Sequence, residues 1–403
     1  MSDKSIGEVA AIRPALIPLI LALVTAVGPI STDMYLPAFP AMRADLDGGL
    51  SSGSFTLAAW FGGLAVGQIT HGPLSDRFGR KAPLLIGGIL YTLGSAACAL
   101  STGMTALIVF RALAAFGGAA GLVVPRAVIR DIATSGIDGA RIFSRLQVIM
   151  SVVPMLAPTL GGFIVETTGW RMIFWVAAAY GLASSLIVWR FLPETLPRGL
   201  RTASAAMNIV HGYAVILRER SFLLHALTGA FGTFSLFAFL GGAPAVFLRH
   251  FGMTPTWFGI MFIANAAGFA LGTNLNVRAL ERLGQERSLT YATWALAGGS
   301  LVMLACSQND TGGLWGIEGP MIFIMIALGS LLPDAAIGAI LPHEHDAGSA
   351  SALYGTMVFA IGAFGTIGSG WAASQTAQPM ALIMVAGAIA ALLTNLVRRR
   401  LSR

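Results

Sequence analysis

Charge is what this chain has least of. Only 11% of its 403 residues are charged while 56% are hydrophobic, and the mean hydropathy is +0.76. A soluble protein of this length needs far more polar surface to cover its core, so lipid must take the place of water around most of the chain. Lysine is nearly absent. Lys4 and Lys81 follow Asp3 and Arg80, which leaves no Gly-Lys-Ser/Thr loop to cradle phosphates and excludes a nucleotide-driven pump. The two cysteines, Cys98 and Cys306, fall in different halves without metal-ligand spacing, so two reduced thiols are expected and no cofactor or metal. His343-Glu344-His345 has the look of a metal pair, but a short loop between apolar runs explains it better. No segment is large enough for the soluble output domain of a receptor, and no nucleophile constellation suggests an enzyme.

What is present is a series of long apolar runs. After a polar stretch of 14 residues, the first covers Ala15–Phe39; it is longer than the ~7–15 residue core of a signal peptide and contains Asp33, so it reads as an uncleaved span. Further runs cover Thr56–Gly72, Ala82–Leu100, Ala106–Ile129, Ile142–Val165 and Trp170–Leu192. The pattern resumes at Phe222–Leu248, Phe258–Leu280, Leu289–Ala305, Trp315–Leu341, Ala350–Ala373 and Met380–Val397. Each can cross a bilayer. The expectation is an all-α membrane protein of twelve transmembrane helices: a tail at 1–14, six helices over 15–192, a linker at 193–220, six helices over 221–398 and a tail at 399–403.

The net charge of +7 is a topology signal. With the N-terminus inside, twenty of the twenty-five basic residues fall in inner segments, only Arg43, Arg171 and Arg249 in outer loops, and Arg111 and Arg126 within the fourth span. Both termini are therefore expected in the cytoplasm of a bacterial inner-membrane protein, with no nucleic-acid partner. A weak repeat supports two pseudo-symmetric six-helix bundles. Gly63, Gly67 and Asp76-Arg77-Phe78-Gly79 recur 205 residues later as Gly268, Gly272 and Glu281-Arg282-Leu283-Gly284. Two repeats around a midplane site are a transporter plan, while small residues four apart also let helices pack closely in lipid.

The chemistry must rest on the few ionisable groups inside spans. Asp33 lies between Pro29 and Pro37, which share its helical face and loosen the helix, so a change in its exposure can load or release a proton. A carboxylate that merely ends the helix at the outer interface is the alternative. Arg111 enters the fourth span from the same side and can pair with Asp33 or snorkel to the interface. Asp334, after Pro333, can be a second proton site, a cation contact or a water-facing group. Phe234, Phe237 and Phe239 in the seventh span can line a cavity for an apolar or amphipathic substrate or simply pack.

The turn Gly72-Pro73-Leu74-Ser75-Asp76-Arg77-Phe78-Gly79-Arg80-Lys81 cannot lie in hydrocarbon, where each charge costs about 2.5–3.5 kcal/mol at the bilayer centre. It resembles the signature loop between the second and third helices of the major facilitator superfamily. Thr32-Asp33-Met34-Tyr35-Leu36-Pro37, Arg111 followed by Gly117-Gly118-Ala119-Ala120-Gly121, and Ala347-Gly348-Ser349-Ala350-Ser351-Ala352-Leu353 extend the resemblance to the Bcr/CflA group of drug:proton antiporters. This implies an exporter of antibiotics or other small amphipathic molecules, driven by inward proton flow; a monomer is the expected state, though the sequence itself leaves it open. Asp33 and Arg111 match the group's first-helix acid and fourth-helix arginine. Asp76 is expected to gate by pairing with a basic residue near Arg130 and with the start of the eleventh helix. Ala157-Pro158-Thr159-Leu160-Gly161-Gly162 is similar to the antiporter motif of the fifth helix, with alanine in place of its first glycine. Thr25 stands where some multidrug relatives carry a second acid. A metabolite importer or exporter of the same fold is the competing reading.

Overall fold

The computed structural model describes residues 16–46, 49, 52–133, 136–201, 206–372 and 376–401. The expected tail at 1–14 and the last two residues lie outside them. Every regular element among the described residues is a helix.

The first span is interrupted rather than continuous. Helix α1 (Leu16–Thr25) gives way at Ala26 to α2 (Val27–Asp33), followed by a 3-10 turn over Leu36–Ala38 and by α3 (Phe39–Asp45). Three prolines explain the breaks: Pro29 has no N–H to give in the first turn of α2, while Pro37 and Pro40 open the next two elements, where their missing N–H groups cost nothing. Asp33 is the last residue of α2. Helix α4 (Ser52–Phe78) runs six residues past Gly72, with Pro73 inside it, so the expected ten-residue turn shrinks to Gly79 and Arg80. The apolar run ends at Gly72, but a helix leaving hydrocarbon need not unwind, and water solvates its charged last turn.

Beyond it come α5 (Lys81–Ala99), α6 (Met104–Gly118), α7 (Ala120–Ile132), α8 (Gly136–Thr168), α9 (Arg171–Phe191) and the linker helix α10 (Ala206–Arg218). The remainder consists of α11 (Arg220–Pro244) with a π-helical turn at Ala245–His250, α12 (Pro255–Leu283), α13 (Gln285–Gln308), α14 (Gly313–Ile340), α15 (Ala347–Trp371) and α16 (Gln378–Leu401). Ten stretches of the described residues are long and apolar enough to cross a membrane. Large apolar side chains such as Leu93, Phe163, Trp189, Leu301 and Phe364 lie exposed on the outside of the bundle, a surface that suits hydrocarbon and not water.

Packing repeats along the chain. Helices α4 and α5 both lie against α6, and α5 against α9; α12 and α13 both lie against α14, and α13 against α16. Gly63 and Gly67 of α4 rest on the backbone carbonyls of Ala112 and Phe116, while Gly268 and Gly272 of α12 rest on those of Ile322 and Ile326. A side chain at any of these glycines meets backbone, so each pair fixes how closely two helices approach. Contacts of α4 with α15 and of α8 with α12 join the earlier helices to the later ones.

Candidate functional site

Asp33 is half-buried at the end of α2. The 3-10 turn just after it touches α8, α11 and α12, so the carboxylate precedes a turn that reaches across the contact between earlier and later helices. Arg111 of α6 is buried and does not snorkel. Its guanidinium sits over the rings of Tyr35 at 4.2 Å, Trp60 at 4.6 Å and Phe174 at 5.7 Å. Its Nη2 donates to the carbonyl of Ser31 at 3.0 Å, and the Ser31 hydroxyl shares a 2.6 Å hydrogen bond with Tyr91. Among the described residues no ion pair joins Arg111 to Asp33. The arginine instead grips the backbone two residues before the acid, with its charge faced by aromatic rings.

At the end of the molecule opposite the Gly72–Lys81 segment, the helices close tightly. Gly161 of α8 lies under the carbonyl of Met34, Gly162 under that of Pro255, and Gly259 of α12 under that of Pro158. The Glu166 carboxylate completes this contact by accepting from the Thr256 N–H at 3.0 Å and the Thr256 hydroxyl at 2.8 Å. Ser54 donates to the Gly241 carbonyl at 2.9 Å, joining α4 to α11. The Pro158, Gly161 and Gly162 motif thus sits where α8 meets both the broken first span and α12. We call this the far end.

The three phenylalanines of α11 separate. Phe237 stacks on Phe61 of α4 at 3.6 Å and lies near Phe359 of α15. Phe239 is fully buried against Phe247 and Phe262, and the backbone of Phe234 supports Gly365 while its ring meets Gly387. Of the three, Phe237 is stacked on an α4 ring. The helical period separates Phe237 from Phe239, since residues two apart on a helix point in different directions.

The signature segment is built around Arg80, whose side chain is 2% exposed. Its Nε and Nη2 donate to Asp131 at 2.7 and 3.2 Å, and Nη1 donates to Ser75 at 2.9 Å and to Asp76. Glu194, just beyond α9, accepts from the backbone N–H groups of Arg80 and Lys81, and Lys81 Nζ donates to the Trp189 carbonyl at 2.7 Å. Gly79 has φ +89°, which glycine adopts without strain. Asp76 therefore pairs within its own turn and not with Arg130. Arg130 instead lies beside Gly348, at the start of α15. Arg77 covers only the neighbouring Phe78 ring.

Asp334 is fully buried, which excludes a water-facing role in this conformation. Its Oδ1 accepts from Asn276 at 2.8 Å, Ser288 donates to the same asparagine, and Gln285 donates to the Asp334 carbonyl. Sequence reasoning missed Asp131 and Glu194, which organise the signature turn, and Glu318, a buried acid of α14 that accepts from Asn265 at 2.9 Å. Glu318 was findable, as a lone acid within an apolar run. Asp131 and Glu194 lie at span ends, where acids are common and carry no signal. Among the described residues no cluster fit to hold a metal occurs.

The sequence profile of the Major Facilitator Superfamily matches residues 21–366. An uncharacterized MFS-type transporter, YdgK of Bacillus subtilis, is 35% identical and aligns over 92% of both chains. A bicyclomycin resistance protein homolog of Haemophilus influenzae is 28% identical over 91% of this chain and 92% of its own, and a chloramphenicol resistance protein of Pseudomonas aeruginosa is 29% identical over 81% and 76%. Among solved structures, a D-xylose-proton symporter superposes with a TM-score of 0.73 over 95% of this chain and 96% of its own, at 16% identity, a likeness of fold alone.

Proposed function

The chain belongs to the major facilitator superfamily of transport proteins, and from that premise we propose that it is a proton-coupled antiporter of the Bcr/CflA group that exports antibiotics or other small amphipathic molecules across the bacterial inner membrane. In this reading the ten apolar stretches, together with α4 and α8, make twelve spans in two six-helix bundles, 15–192 and 221–398. The bundles rock about a midplane site, the signature turn lies in the cytoplasm with both termini, and the monomer is the working unit. The repeated helix pairings and the matching glycine contacts at Gly63/Gly67 and Gly268/Gly272 support the two-bundle plan.

One observation carries the coupling. Asp33 ends α2 immediately before the turn that contacts α8, α11 and α12, so protonating it changes the charge beside the contact that closes the far end. Arg111 fixes the Ser31 carbonyl and so holds that segment in register. When the far end opens, Asp33 takes up a proton; when it closes and the cytoplasmic side opens, the proton leaves and the substrate enters. Phe61, Phe237 and Phe359, contributed by α4, α11 and α15, offer an apolar surface for an amphipathic molecule. The resistance proteins among the relatives support a drug as cargo.

The test is growth of a drug-sensitive bacterium on an antibiotic panel that includes chloramphenicol and bicyclomycin, with wild type and Asp33→Asn at matched membrane levels. Protection by wild type that Asp33→Asn abolishes supports the reading. Protection by neither removes drug export and leaves a metabolite as cargo, whereas equal protection by both removes Asp33 from the coupling.

A further inference from the structure

Glu318 is the sixth residue of α14, 2% exposed, and Asn265 of α12 is fully buried against it. The Asn265 Nδ2 donates to Glu318 Oε1 at 2.9 Å. The other two polar atoms of the same pair, Glu318 Oε2 and Asn265 Oδ1, are both buried and have no hydrogen-bond partner. Two unsatisfied acceptors beside one satisfied contact are a costly arrangement in a dry interior. A single proton on Oε2 removes both deficits, because a carboxylic acid and an amide then form a cyclic pair: N–H to Oε1 in one direction, O–H to Oδ1 in the other.

We propose that Glu318 and Asn265 form a proton-binding site, in which Glu318 is a neutral carboxylic acid held by the asparagine amide. Among the described residues no ion pair reaches Glu318. Besides burial, the one interaction that bears on Glu318 is Asn265. Helix α14 packs against α11, α12, α13 and α15. Their ionisable groups are Arg220 and His225 on α11; Arg278, Glu281 and Arg282 on α12; Glu286, Arg287, Tyr291 and Cys306 on α13; and Tyr354 on α15. Among these, Cys306, beside Gly316, lies at the same end of α14. At the far end, His250 Nε2 lies 3.1 Å from Asp310. Asp334, on α14 itself, lies sixteen residues away, about 24 Å along the helix. The site is separate from Asp33 and does not depend on which substrate is carried.

Infrared difference spectroscopy of the purified full chain at neutral pH reads the proton directly. The wild type is expected to show a protonated-carboxyl C=O band that Glu318→Gln removes, while the isosteric amide keeps the fold and elutes from size exclusion as wild type does. Asn265→Leu is expected to shift that band to higher frequency, as a carbonyl freed from its hydrogen bond does. A spectrum unchanged by Glu318→Gln means that Glu318 is ionised and overturns the proposal. A band lost in Glu318→Gln but unmoved in Asn265→Leu overturns the pairing. Should Asn265→Leu fail to fold, the comparison of wild type with Glu318→Gln decides the proton alone.

Discussion

The α4–α5 turn and the α12–α13 turn each hinge on a glycine of positive φ and differ in the residue that follows it. Gly79 and Gly284 both take positive φ, +89° and +76°, and stand 205 residues apart. The next residue is Arg80 in one turn and Gln285 in the other. Arg80 is a buried cation that joins carboxylates on α4 and α7, whereas Gln285 donates one neutral hydrogen bond to the Asp334 carbonyl. One position further on, Lys81 ties to the last turn of α9 through the Trp189 carbonyl, and Glu286 ties to the last turn of α16 through a two-pronged pair with Arg398. The scaffold asks only for a glycine and a tether at each turn. Both turns carry charge, but only in the first does one buried cation bridge two carboxylates, and such a network is stable with all its partners and costly with one missing.

Breaking the charged turn should have the largest effect. Arg80→Ala strands Asp131, whose side chain is only 12% exposed, and is expected to cost about 3–5 kcal/mol, the cost of removing one partner of a buried pair, and to abolish protection in the growth assay. The unfolding midpoint of the detergent-purified protein checks the stability. Gln285→Ala removes a single neutral hydrogen bond and should cost only about 1 kcal/mol, with transport kept at roughly half or more. An equal loss from the two substitutions would dissolve the contrast. Glu286→Gln should also cost about 1 kcal/mol, because the carboxylate is 57% exposed and the amide oxygen can still accept from the buried Arg398, and this loss should depend on salt more than the Arg80→Ala deficit does. Melts at low and high ionic strength separate the two.

Much of this architecture was legible in the order of residues. The apolar runs located the helices, and the spacing of Gly63/Gly67 and Gly268/Gly272 pointed to the close helix contacts that the structure shows. Hydropathy failed where helix and membrane end at different places, as at Pro73, which α4 passes through. It left open whether Phe234, Phe237 and Phe239 line a cavity or pack, since composition cannot say which side of a buried helix faces a neighbour. The partner of Asp76 was misread because Arg80, four residues on, pairs with it within the same turn, while the Asp131 that engages Arg80 is brought in from α7 by the fold. Arg111 stood out as a cation within an apolar run, but its aromatic surroundings come from two helices, α4 and α9, and from Tyr35 in the turn after α2, and left no local trace.

The central claim is that a proton on Asp33 drives export. Purified protein in proteoliposomes, given a compound against which it protects cells and an imposed pH gradient, tests it most directly. Wild type should concentrate the compound in acid-loaded vesicles and lose that uptake when the gradient is collapsed, while Asp33→Asn should show none. Uptake by wild type that ignores the gradient, or equal gradient-driven uptake by Asp33→Asn, would contradict the account.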